Sequence, residues 1–210
     1  MSTVRTLDPE LRILEGAKEL FFRHGMRSVT MDDIAAQLGI SKKTIYQWYT
    51  DKDALVDELT ARELKQQEKE MSGIRQKSAD PIQEILALLA SLSTMMSKMS
   101  PSVMYDLQKY HDRSWRRFQE FKEATILHFV EDNMRRGIRS GLYRKDIDVK
   151  ILARLRLEEV EMGYNPKTYP PSRFNIPDVQ LALLDHFLHG IVTIKGHRLI
   201  NRYKHIQEEE

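Results

Sequence analysis

Apolar residues recur at spacings of three and four along nearly the whole chain, and strand-like alternation is absent. The pattern predicts helix after helix. Residues 9–24 form the first, with Asp8 as N-cap and Pro9 at the first position, where a missing N–H does no harm. Its core stripe is Leu11, Ile13, Leu14, Ala17, Leu20 and Phe21, and Gly25 ends it. Two short helices follow, 31–38 and 42–48, preceded by the capping hydroxyls of Thr30 and Ser41 and separated by Gly39-Ile40. Thr30 and Asp33 make a near capping box, with Asp where Glu is usual. A fourth helix over 51–71 carries Leu55, Val56 and Leu59 on one face before the polar, broken stretch 72–81.

Downstream, 81–99 has an almost continuous apolar face, and Pro101 opens a short helix to Tyr110. Residues 112–140 predict one long helix of roughly 40 Å. Its stripe is Trp115, Phe118, Phe121, Ile126, Phe129, Val130 and Met134, and Gly137 and Gly141 mark a frayed end. Asp146 or Asp148 caps a helix to Met162, the proline-rich stretch 163–177 is a loop, and the last helix spans 177–203. The tail 207–210 is expected to be disordered. The expected fold class is all-α with about nine helices. A small three-helix domain at 1–55 precedes a larger helical bundle at 56–210, with the boundary inside the fourth helix.

The segment from Thr30 to Lys52 reads TMDDIAAQLGISKKTIYQWYTDK. Two short helices joined by Gly-Ile make a helix-turn-helix, whose second helix reads DNA. Ile34, Ala35 and Leu38 are spaced to face a core, and Gly39 permits the positive φ of a tight turn. Ile45 and Tyr49, four apart, form the second helix's inner face. Lys42, Lys43, Thr44, Tyr46, Gln47 and Trp48 remain outside, a set of donors suited to phosphates and base edges. The same pattern also occurs in helical proteins that bind no DNA.

Residues 11–55 resemble the N-terminal domain of the TetR family of transcriptional regulators. The resemblance rests on Ala17, Leu20, Phe21 and Gly25, then Thr30, Ile34, Ala35 and Gly39, and continues through Ser41, Thr44, Ile45, Tyr46, Tyr49, Lys52 and Leu55 without a gap. Trp48-Tyr49 departs from the His-Phe often found there. Beyond this stretch the likeness is one of helix number and length only. It implies an all-helical homodimer with two DNA-binding heads and two effector-binding bodies. Carried over by position, Lys43, Thr44 and Gln47 face base edges, while Thr30, Ser41, Lys42, Tyr46, Trp48 and Lys52 contact phosphate. Arg27 is either a further phosphate contact or a solvated loop charge.

Charge adds little: 33 Lys and Arg against 31 Asp and Glu leave +2, which neither supports nor opposes a nucleic-acid partner. The absence of cysteine removes disulfides, thiolate metal sites and cysteine nucleophiles. No apolar run approaches the roughly 18 residues of a membrane span. The opening Met-Ser-Thr-Val-Arg lacks the apolar core of a secretory signal, so a cytoplasmic protein is expected.

In the larger domain, Met95, Met96, Met99, Met104, Tyr105, Tyr110, Trp115, Phe118 and Met134 are candidates either for an apolar effector pocket or for ordinary bundle core. Glu158, Glu159 and Glu161 read as a solvated rim rather than a cation site. His186 and His189 have ligand spacing but no evident third ligand, so no metal is expected. Across 177–203 the apolar residues cover more than one helix face, which points to a dimer interface through Phe187, Gly190, Ile191 and Ile194. Gly190 reads as a point of close helix approach or as a local kink, and Gly196 likewise.

Catalysis finds no support, since no dinucleotide, P-loop, zinc-protease or nucleophile-elbow motif is present. No enzyme activity and no cofactor are expected. The leading expectation is a regulator, acting as a repressor, that binds a palindromic operator in double-stranded DNA as a homodimer and answers to a small-molecule effector. The rival is a helical interaction module of the same fold that has lost effector control and works through a protein partner.

Overall fold

The computed structural model describes residues 8–204. The expectations for the first residues and for the tail 207–210 lie outside them. Among the described residues every regular element is a helix, apart from one isolated bridge between Tyr143 and Val192.

Local chemistry sets the first elements. Asp8 accepts the Glu10 N–H at 3.1 Å and opens α1 (Pro9–His24), whose N–H ladder closes on Gly25. Thr30 and Asp33 exchange hydrogen bonds in a complete capping box at the start of α2 (Met31–Leu38). That helix ends in a Schellman turn: Gly39 N–H reaches Ala36 C=O and Ile40 N–H reaches Ala35 C=O. Gly39 sits at φ 63, the left-handed region that disfavours a Cβ. Ser41 caps α3 (Lys42–Tyr46), which stops two residues early because Trp48 and Tyr49 N–H both close on the Ile45 carbonyl in a tightened last turn.

Helix α4 (Lys52–Lys77) outruns its expected end at residue 71. Its apolar stripe continues through buried Leu64 and Met71, with Ile74 half-buried, and Arg75 pairs with Asp132 at 2.9 Å. These contacts outweigh the cost of about 1 kcal/mol for Gly73 within the helix. The chain continues with α5 (Pro81–Met96), α6 (Val103–Tyr110) and α7 (Asp112–Phe121). The expected 112–140 helix is interrupted by a π turn, Lys122–Ile126, before α8 (Leu127–Arg139). The π turn places Lys122 in the interior, where its ammonium pairs with Glu161 at 2.5 Å.

After α9 (Val149–Tyr164) and the proline-rich loop, the expected last helix is two: α10 (Ile176–Ile191) and α11 (Ile194–Tyr203). The break has a cause. Arg144 N–H donates to Ile191 C=O and Thr193 N–H to Leu142 C=O, drawing Val192 into extended backbone. Gly196 then passes so near that a Cβ would lie 2.3 Å from Leu142 O. Within the single chain close approach occurs there, whereas at Gly190 a Cβ would meet nothing within 4 Å.

Two compact units result. The first comprises the described residues to Lys65 together with Lys98–Phe118. It therefore extends beyond the expected 1–55, because α6 adds Val103 and Leu107 to a core of Ile13, Leu14, Phe21, Ile34, Ile45 and Leu55. The second comprises Gln66–Ser97 and the described residues from Gln119 onward. Its core gathers Ile82, Met134, Tyr143, Ala153, Leu157, Leu184, Leu188 and Ile200. A buried polar chain runs through it: Tyr143 OH donates to Asn133, Asn133 to Glu84, and Arg136 grips both Glu84 oxygens at 2.7 Å.

Candidate nucleic-acid interface

The first unit orients α3 from its inner side. Ile45 is fully buried and Tyr49 nearly so, each set against α1 and α2 in one core. Burial of a side chain such as Ile45 contributes about 1.5–3 kcal/mol, enough to hold a five-residue helix that has little stability of its own. With that face inward, Lys42, Lys43, Tyr46, Gln47 and Trp48 are exposed and Thr44 is half-exposed. Tyr46 and Trp48 leave 44% and 46% of their surface in solvent, high values for aromatic side chains in a well-packed unit. The polar candidates thus share the outer side of one helix and its last turn.

The expected phosphate contacts have further local roles. Thr30 and Ser41 accept backbone N–H groups of α2 and α3, and Ser41 also shares a hydrogen bond with Thr44 at 2.8 Å. Their hydroxyls lie at helix starts, where outward N–H groups favour an anion. Lys42 donates to Asp32 at 2.9 Å, which holds its pKa above the ordinary lysine value. Any phosphate at Lys42 must compete with that carboxylate. Lys52 opens α4, half-buried, with its ammonium 5.9 Å over the Phe21 ring and 3.5 Å from the Arg27 carbonyl. Burial pulls its pKa down, opposed by Asp106, Asp53 and Asp33.

Sequence reasoning missed the residues that brace this surface. Arg12 donates to the Leu38 carbonyl at 2.7 Å, satisfying the end of α2. Tyr49 and Arg62 both donate to Glu10, and burial pushes the Tyr49 phenol well above its usual pKa. From α6 and α7, Asp106 accepts the Arg27 N–H, His111 meets Asp53 at 2.7 Å, and Arg113 and Arg117 converge on buried Asp57 at 3.0 and 3.1 Å. These partners come from distant sequence, and local spacing carries no signal for them.

The remaining candidates are dispersed. Met99, Trp115 and Phe118 pack against the first unit's core, Met104 is half-buried, and Tyr105 and Tyr110 are exposed. Met96 and Met134 are buried in the second unit, and Met95 is half-buried there. Met134 lies in the second unit's core, and Trp115 and Phe118 are partly buried. Of the expected interface residues, Phe187 and Ile191 point into the second unit's own core, whereas Gly190 and Ile194 are exposed. Ile151, Leu155, Met162 and Leu181 are exposed as well. The glutamates are engaged: Glu161 and Glu158 with Lys122, and Glu159 with Arg156. His189 Nδ1 lies 3.0 Å from His197 Nδ1, and among the described residues no three His, Asp or Glu side chains gather as a metal site.

A capped positioning helix, a left-handed glycine turn and an exposed reader helix make the first unit a helix-turn-helix head, the class of module found in transcriptional regulators. Comparison with known proteins agrees. Residues 13–59 match the family model of bacterial regulatory proteins, tetR family. The HTH-type transcriptional regulator YvaF of Bacillus subtilis (strain 168) is 27% identical over 189 residues, covering 87% of this chain and 95% of that protein. The HTH-type transcriptional repressor KstR2 of Mycobacterium tuberculosis (strain CDC 1551 / Oshkosh) is 28% identical over 145 residues, or 68% of this chain and 72% of that protein. Two crystal structures share the fold. One is a TetR family regulator from Agrobacterium tumefaciens, with a TM-score of 0.74, 15% identity, and 88% and 98% of the two chains covered. The other is a transcriptional regulator from Saccharomonospora viridis in complex with choline, with a TM-score of 0.70, 22% identity, and 88% and 97% covered. These similarities support a TetR family transcriptional regulator, with the family model matching the head alone. Among the described residues no helix is long and apolar enough to cross a membrane.

Proposed function

We propose that this chain is a cytoplasmic one-component repressor. As a homodimer it binds a palindromic operator in double-stranded DNA through Lys43, Thr44 and Gln47 at base edges, and through Thr30, Ser41, Lys42, Tyr46, Trp48 and Lys52 at phosphates. A small-molecule effector, held in the residues after the head, shifts the dimer away from the operator-binding state. The observation that carries the reading is the fully polar and aromatic outer side of α3, set against a buried Ile45 and Tyr49. A protein-interaction module that had lost DNA binding would have no use for two lysines, an amide and two hydroxyls held on one short helix.

The sign of control rests on the repressor named among the relatives. The effector rests on the choline complex of a protein with the same fold. The dimer rests on Ile151, Leu155 and Met162 of α9 and Leu181 of α10, large apolar residues left in solvent by the single chain. A coupling of about 1–3 kcal/mol between effector and DNA would change operator affinity about 5- to 150-fold. Selection of genomic fragments on the immobilised protein at moderate salt tests the reading. Enrichment of a palindrome is expected. Recovery of no preferred sequence would leave the interaction module as the better account.

A further inference from the structure

The head carries a second basic and aromatic strip that the helix-turn-helix does not explain. Arg27 lies in the turn between α1 and α2, and its guanidinium stands 5.3 Å over the Tyr110 ring of α6. Lys109, one residue earlier on α6, lies 5.5 Å from that ring and 5.3 Å from the Tyr105 ring, and donates to the Tyr105 hydroxyl at 2.9 Å. Tyr105, Lys109, Tyr110 and Arg27 are all exposed. The strip is continuous with Lys52, whose ammonium lies 3.5 Å from the Arg27 carbonyl.

Asp106, on α6 itself, and Asp53, next to Lys52 in sequence, have other partners. Asp106 is buried and accepts the Arg27 N–H, and Asp53 is taken by His111. Among the described residues, neither the Arg27 guanidinium nor the Lys109 ammonium makes a salt bridge to a carboxylate. The Arg27 guanidinium over the Tyr110 ring and the Lys109 ammonium at the Tyr105 hydroxyl are held by neutral groups and keep their charge.

The geometry points to α6 as a direct contact with DNA: Arg27 and Lys109, set on Tyr110 and Tyr105, bind backbone phosphates flanking those reached by Lys52. A duplex backbone is the partner that fits, because its regularly spaced phosphates extend past whatever site the reader helix occupies. The inference rests on the DNA-binding reading above and deepens it. It places a phosphate-binding lysine on the same helix whose Asp106 and Val103 pack into the head, so movement of α6 would shift that contact as well as alter the head.

Salt titration tests it. Binding of wild type, Lys109→Ala, Lys109→Arg and Arg27→Ala/Lys109→Ala is measured by fluorescence anisotropy over a salt series. The probes are a duplex of scrambled sequence several helical turns long and the selected operator. Each lost phosphate contact lowers the slope of log affinity against log salt by about 0.9. Each substitution removes one contact from each subunit of the dimer, so the single alanine variant is expected to lose about 1.8, the double about 3.6, and Lys109→Arg nothing, on both duplexes alike. Lys109 is exposed, so its melting temperature should match wild type. Wild-type slopes in the alanine variants, or a lowered melting temperature with an unchanged slope, would overturn the inference while leaving DNA binding intact. Wild type that bound neither duplex would overturn the functional reading with it.

Discussion

Asp106 of α6 accepts the backbone N–H of Arg27 at 3.0 Å across a separation of 79 residues. The turn leading into the reader unit is thus held by a side chain far downstream. A partly buried N–H left without an acceptor costs about 1–3 kcal/mol. Asp106→Ala should lower unfolding stability by about that amount in urea titration. Asp106→Asn, which keeps an acceptor oxygen, should recover part of it. Equal stability of the alanine variant and wild type would show that the turn needs no such anchor.

Base reading and phosphate contact should separate in two variants. Lys52→Ala should weaken binding to all duplexes alike and flatten the salt slope by about 1.8, since the dimer loses one contact per subunit. Gln47→Ala should leave the slope unchanged and relax choice at one base pair in each half-site by about 1–3 kcal/mol. Lys52→Ala that altered base preference at constant slope would reverse these roles.

The capping box of α2 should give the head an acid-sensitive edge. Hydrogen bonds from the Thr30 hydroxyl and backbone N–H hold the Asp33 pKa below its ordinary 3.8. The folded value lies under the unfolded one, so its stabilisation is complete above 3.8 and is lost as pH falls through the lowered value. Far-ultraviolet circular dichroism melts between neutrality and about pH 2 should show a steeper loss of stability in wild type than in Asp33→Asn. Parallel profiles would refute this account of the cap.

The head was legible where its signals are local. Asp8 with Pro9 and Gly25, and Thr30 with Gly39, mark the ends of α1 and α2, and the observed bounds agree with the expected ones. The Ile45–Tyr49 spacing correctly assigned the inner face of α3. Where an element depends on distant partners, periodicity fails. The π turn takes its buried lysine's partner from Glu161, and the break before α11 takes its hydrogen bonds from Leu142 and Arg144. Phe187 and Ile191 look like surplus apolar residues on a single long helix. The break at Val192 changes the surroundings, and both fill the second unit's own core. The bracing residues Asp106 and Asp57 look like ordinary helix-surface carboxylates until α6 and α7 fold against the head.

Gly190 offers a clean test of the proposed dimer because the single chain has room for a larger side chain there. A Cβ would meet nothing within 4 Å. Leucine is also the better helix former by nearly 1 kcal/mol, so Gly190→Leu should keep its helix content and melt no lower than wild type as a monomer. If a second copy packs against this part of α10, the added side chain must collide with it. Dimerisation and operator binding should then fail together, since one head alone cannot span half-sites about 34–36 Å apart. Light scattering and circular dichroism on the variant read both quantities. A dimer of unchanged stability would take Gly190 out of the interface and leave it to α9 and Leu181, where Ile151 and Leu155 are 65% and 46% exposed. Leu155→Arg would then be the substitution expected to separate the subunits, because a guanidinium buried there without a partner opposes association.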